Sequence, residues 1–82
     1  MSFLSQSAEF SGLERLARQV RRQRRLSRLT QSELAGLAGV GLRFVSDLET
    51  ARPGLEIGRV LRVVETVGLE LLVRPRDWPA QG

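Results

Sequence analysis

Apolar positions along the chain fall into successive blocks, most with the spacing of a helix and the last with the alternation of a strand. Leu13, Leu16, Ala17 and Val20 recur at the three- and four-residue intervals that line one side of a helix. Ser11 with Glu14 three residues later has the form of a capping box, so a helix is predicted to open there and run to about Leu26. Thr30 with Glu33 repeats the pattern and starts a second helix at Gln31. In it Leu34, Leu37 and Ala38 are expected to face inward, and Ala35 is small where another helix must come close. Gly39 supplies the left-handed residue that ends this helix, Val40 plugs the corner, and Gly41 opens a third helix with Val45 and Leu48 on its inner face. Leu42, Arg43, Phe44, Ser46 and Asp47 remain outward, with Phe44 expected to turn back and complete the core. The run from Gln31 to Thr50 thus reads as two short helices across a glycine turn.

The segment Thr50 to Gly54 is a proline and glycine loop. From Leu55 to Val67 the apolar residues Leu55, Ile57, Val60, Leu61, Val63, Val64 and Val67 form a face too wide for one neighbour, so this helix is expected to pack on the preceding pair and on a partner chain. Gly68 stops it. Leu69, Leu71 and Val73 then alternate with Glu70, Leu72 and Arg74 as far as Pro75, the period of a strand. No second strand is predicted to pair with it. A lone strand leaves amides and carbonyls unsatisfied, so Leu69, Leu71, Leu72 and Val73 are expected to form a two-stranded ribbon with the same segment of a two-fold related copy. An irregular tail or a short helical turn is the other reading of this stretch. The domain plan is an arm or short docking helix (1–11), a helix-turn-helix domain (12–68), a dimerisation strand (69–75) and a flexible tail (76–82). Trp78, the single tryptophan, serves in that tail either as an anchor for a partner's pocket or as a residue folded back on its own dimer. The fold class is mainly α, with four to five helices.

Composition narrows the chemistry. At 82 residues the chain makes one domain near the lower limit for an independent core, which favours a dimer. It has no cysteine and no histidine, which removes disulfides, thiolate and imidazole metal ligands and the usual general base. No enzyme activity, metal or cofactor is expected. No apolar run is long enough for a membrane span, and the first residues lack the form of a signal peptide, so a cytoplasmic location is expected. All 13 basic residues are arginine against 9 acidic ones, for a net charge of +4. Arg15, Arg18, Arg21, Arg22, Arg24, Arg25 and Arg28 lie directly before the two-helix motif. A positive flank beside an outward-facing helix points to a duplex nucleic acid.

On that reading the N-terminal part of the third helix enters the major groove. Arg43 leads, because its guanidinium fork matches the two major-groove acceptors of guanine. Leu42 suits a thymine methyl, Asp47 a cytosine amine and Ser46 a phosphate oxygen, while a solvated face accounts equally well for these three. Arg28, Arg22 and Arg52 are the candidate backbone contacts, Arg52 from the loop that follows the reading helix. Arg24 extends the buried stripe of the first helix by one turn. A guanidinium there requires an acid, and Glu49 is the expected partner, so Arg24 is assigned to structure before phosphate. The outward face lacks the paired aromatics that stack single-stranded bases, which disfavours RNA.

The series LTQSELAGLAGVGLRFVSDLE, from Leu29 to Glu49, resembles the lambda-repressor-like or Xre-type helix-turn-helix family. The passage VETVGLELLVRP, from Val64 to Pro75, narrows the resemblance to HipB-like antitoxins, and together the likeness covers about residues 13 to 75. It implies that Gln31 touches the DNA backbone or an adjacent base and that Arg24 and Glu49 form an internal ion pair. It also implies a homodimer joined by the terminal strand, a palindromic operator upstream of the chain's own operon, and a HipA-like serine/threonine kinase toxin as partner. Gly41 and Phe44 stand where members often carry polar residues. The function expected is a dimeric autorepressor that doubles as an antitoxin. A stand-alone phage-type or Xre-type regulator, and a protein-interaction module without DNA binding, are the competing readings.

Overall fold

The computed structural model describes residues 12–76, which form helices α1 (Gly12–Leu26), α2 (Gln31–Ala38), α3 (Leu42–Glu49) and α4 (Ile57–Thr66). Ser11, the proposed arm and Trp78 lie outside the described residues. Every helix sends side chains to one core, in which Val20, Leu34, Val45, Leu48, Val63 and Val64 are fully buried. Leu16, Val40, Phe44, Leu55 and Leu69 pack against it half-buried, so Phe44 sits on the core side. α3 rests on α1 and α2, and α4 closes over α2.

The local chemistry of each terminus explains where the helices begin and end. At the start of α2 the Glu33 amide donates to Thr30 Oγ1 at 3.0 Å, and the Thr30 amide donates to Glu33 Oε1 at 2.8 Å. Gly39 closes the helix at φ 72° in the left-handed region. α3 has Gly41 at its N-cap and no side-chain cap. α4 is capped by Glu56, whose carboxylate accepts from the amides of Arg59 at 3.0 Å and Gly58 at 3.3 Å. This helix therefore opens at Ile57, and Leu55 packs from the loop before it.

Two further left-handed positions were not foreseen. Arg28, after α1, has φ 60°, and Ala51, after α3, has φ 61°. Each terminates its helix in the manner usually left to glycine: the Leu29 amide reaches back to the Arg24 carbonyl, and the Arg52 amide to the Asp47 carbonyl. A side chain in this region costs roughly 1–2 kcal/mol, of which glycine's extra freedom when unfolded returns part. Arg28→Gly is thus expected to raise stability by about 0.5–1 kcal/mol, read as a higher midpoint in urea denaturation.

One expectation needs correction, and one is not shown. Leu37 is not inward: it is 67% exposed. α2 is only two turns long, and its buried side is set by Leu34, Ala35 and Ala38. At about 100° per residue, Leu37 falls roughly a quarter-turn or more from the centre of that side. The segment 69–75 forms no strand among the described residues. Leu69 packs on the core of its own chain, while Leu71, Leu72 and Val73 are exposed. A strand exists through the ladder it shares with a neighbour, and the described residues supply no edge for one. Among the described residues no helix is long and apolar enough to cross a membrane.

Candidate nucleic-acid interface

The support of α3 is a polar cluster beneath its C-terminal end. Arg24 donates from Nε to Glu49 Oε2 at 2.7 Å and from Nη2 to Glu49 Oε1 at 2.9 Å, a two-pronged pair between α1 and α3. The guanidinium also donates from Nη1 to the Leu29 carbonyl at 2.8 Å, and Gln31 Nε2 donates to Glu49 Oε1 at 3.0 Å. The side chains of Arg24 and Glu49 are 11% and 3% exposed. Among the described residues no buried side-chain nitrogen or oxygen lacks a partner. Burial pushes the Glu49 carboxyl up, but the hydrogen bonds from Arg24 and Gln31, with the charges of Arg24 and Arg21, outweigh it and hold the group below the ordinary carboxylate range. The hydrogen bond to Glu49 raises the Arg24 pKa, burial opposes this, and the charge of Glu49 adds to the rise.

The opposite side of α3 faces solvent. Leu42 is exposed at its first turn, and Arg43 projects with 82% of its side chain accessible. Asp47, one turn on, is only 20% exposed. Its Oδ1 lies 3.5 Å from Arg43 Nε and 3.8 Å from Arg52 Nη1, so one carboxylate joins the helix to the loop behind it. Ser46 is half-buried.

A cationic strip runs along α1. Arg18, Arg21, Arg22 and Arg25 border an open groove of about 570 Å³ on α1. Arg21 and Arg25 also border a smaller one with Gln31 and Thr50, which carries the strip to the start of α2 and the end of α3. Arg28 lies exposed in the turn between α1 and α2. Sequence-derived candidates therefore fall into separate groups. Arg43, Asp47 and Arg52 are together; Arg24, Glu49 and Gln31 are together; Arg22 is in the α1 groove; and Leu69, Leu71 and Leu72 line a distant groove beside Leu16 and Val64. The hydrogen bond of Gln31 to the buried carboxylate and the joining role of Asp47 were missed. The first depends on how α2 crosses α3, which no local pattern encodes. The second had a signal in the Arg43–Asp47 spacing, since residues four apart on a helix are neighbours.

No family model matches the chain. Over 39 residues it is 56% identical to an uncharacterized HTH-type transcriptional regulator, y4mF, of Sinorhizobium fredii (strain NBRC 101917 / NGR234). The alignment takes in 48% of this chain and 51% of that protein, so the chain spans about half the length of the curated relative it matches. The likeness supports a helix-turn-helix regulator family and does not extend to the HipB-like subtype.

Proposed function

We propose that the chain is a sequence-specific, double-stranded-DNA-binding transcriptional repressor that works as a homodimer on a palindromic operator. The observation that carries this reading is α3 itself: two turns of helix, braced from below by the buried Arg24–Glu49 pair, with the Arg43 side chain 82% exposed at its start and a strip of α1 arginines reaching its end. A short rigid helix of this kind fits the major groove, and its N-terminal residues meet the bases first. Arg43 takes guanine through its fork, and Leu42 rests on a thymine methyl. Arg52, Arg28, Arg22, Gln31 and Ser46 hold the backbone, fixing register without reading sequence. In the dimer, segment 69–75 pairs with its copy, a role supported by the exposure of Leu71, Leu72 and Val73. The two half-sites then lie about 34 Å apart, one helical turn, or a multiple of it.

The finer assignment, an antitoxin acting against a HipA-like kinase toxin, rests on the sequence resemblance. Co-purification with the product of the adjacent gene tests it; a neighbour that is no kinase and does not bind favours a stand-alone regulator. DNA reading is tested by gel shift on upstream DNA. Arg43→Ala is expected to cost about 1–3 kcal/mol of operator affinity and to relax preference at one base pair. Unchanged affinity would leave a protein-interaction module as the better account. Arg28→Gly separates the two roles of its position: a more stable protein that nonetheless binds all duplexes more weakly.

A further inference from the structure

Asp47 is poorly placed to read a base. Its carboxylate is 20% exposed and set back between two arginines that are 82% and 59% exposed. A negative group approaching a polyanion is repelled, so it does not lead its cationic neighbours into the groove. What it does touch is specific. Side chains on a helix lean toward its N-terminus, which carries Asp47 back over Arg43, one turn earlier. The closest approach, 3.5 Å, is to Nε rather than to a terminal nitrogen. Arginine presents its donors in a fixed planar fork, and a carboxylate that approaches on the Nε side leaves the Nη1 and Nη2 edge open. That edge is suited to the paired acceptors of guanine. The Arg52 amide meanwhile donates to the Asp47 carbonyl at 2.9 Å, so the residue that restrains Arg43 also fastens the loop carrying Arg52.

We propose that Asp47 is a positioning residue, resting on the DNA-reading role of α3: it holds Arg43 by Nε with the terminal nitrogens outward, and so sets how sharply one base pair is discriminated. Two effects follow from one carboxylate. An exposed arginine has many rotamers, and restraining it before binding lowers the cost of ordering it on the correct base. On a wrong base, Arg43 has a competing partner in Asp47, which limits its use as an indiscriminate phosphate binder. Removing the charge should therefore weaken choice while strengthening non-specific attachment.

The test is a double-mutant cycle on the full chain. Its probes are a duplex selected from a randomised library by the wild-type protein, and the same duplex with the Arg43-dependent base pair changed. The ratio of the two affinities does not depend on the fraction of protein that is folded, so a loss of stability cannot imitate the effect. Asp47→Asn is expected to reduce this ratio about three- to ten-fold, to raise affinity for an unrelated duplex, and to leave the ratio unchanged once Arg43 is alanine. A full and additive effect in the Arg43→Ala background, or an altered preference at a different base pair, would overturn the proposal in favour of a direct base contact. If the wild-type chain selects no sequence at all, the DNA-reading role falls, and the role of Asp47 with it.

Discussion

Glu49→Ala is expected to destabilise the protein by about 3–5 kcal/mol, a large share of the roughly 5–15 kcal/mol typical of a whole domain. The reason is what remains behind. Arg24 would keep its hydrogen bond to the Leu29 carbonyl but lose both bonds to the carboxylate, and Gln31 would lose its acceptor. A guanidinium 11% exposed would then be buried without a counter-charge. Replacing both partners, as in Arg24→Met with Glu49→Leu, is expected to cost far less, because it leaves no orphaned charge. Urea denaturation measures both. A change under about 1 kcal/mol in the single variant would mean that the pair does not hold α3 to α1. Acid adds a second readout. Glu49 has its pKa lowered on folding, so its contribution is fully present above the unfolded value of about 4.3 and is lost as pH falls through the lower folded value. Stability of the wild type should decline below about pH 4.3, and in Glu49→Gln that part of the decline should vanish.

The second large effect concerns binding. Raising monovalent salt from about 50 to 200 mM is expected to weaken operator binding roughly 10⁴-fold, a log-log slope of about −7 for a dimer neutralising about eight phosphates. Arg22, Arg28 and Arg52, with the rest of the α1 strip, are the proposed source of those contacts. Each released counterion adds to the slope whatever the sequence bound, so Arg52→Ala should make it shallower by about 2 per dimer. Arg43→Ala should lower affinity at every salt concentration and leave the slope nearly unchanged, since its proposed partner is a base. Titrations at several salt concentrations decide this, and a slope near zero would remove the electrostatic half of the mechanism.

Much of this architecture was legible because it is written in local rules. A threonine three residues before a glutamate specifies a helix start by hydrogen-bonding geometry alone, and Gly39 specifies a stop by its backbone freedom. The Arg24–Glu49 contact was legible for a related reason: a charge on a buried stripe demands an opposite charge within reach. What was not legible depends on distances between elements. Leu37 looked internal because two turns of helix offer too few positions to tell one buried side from its neighbour. Residues 69–75 carry a strand's alternation, yet the hydrogen bonds that would make them a strand require an edge that the described residues do not supply. Arg28 and Ala51 escaped notice because neither residue type advertises a left-handed backbone. At the candidate site, the residue types pointed to the reading face, but the sharing of Asp47 between Arg43 and Arg52 emerged only with the loop in place.

The brace under α3 has an evolutionary consequence. Because Glu49, Val45 and Leu48 anchor the helix from beneath, the tip formed by Leu42 and Arg43 contributes little to holding the protein together. Under the proposed function, target preference is therefore free to drift by single exchanges at the tip while the scaffold persists. Duplicated copies of such a gene could part company in the operators they recognise long before they diverged in shape.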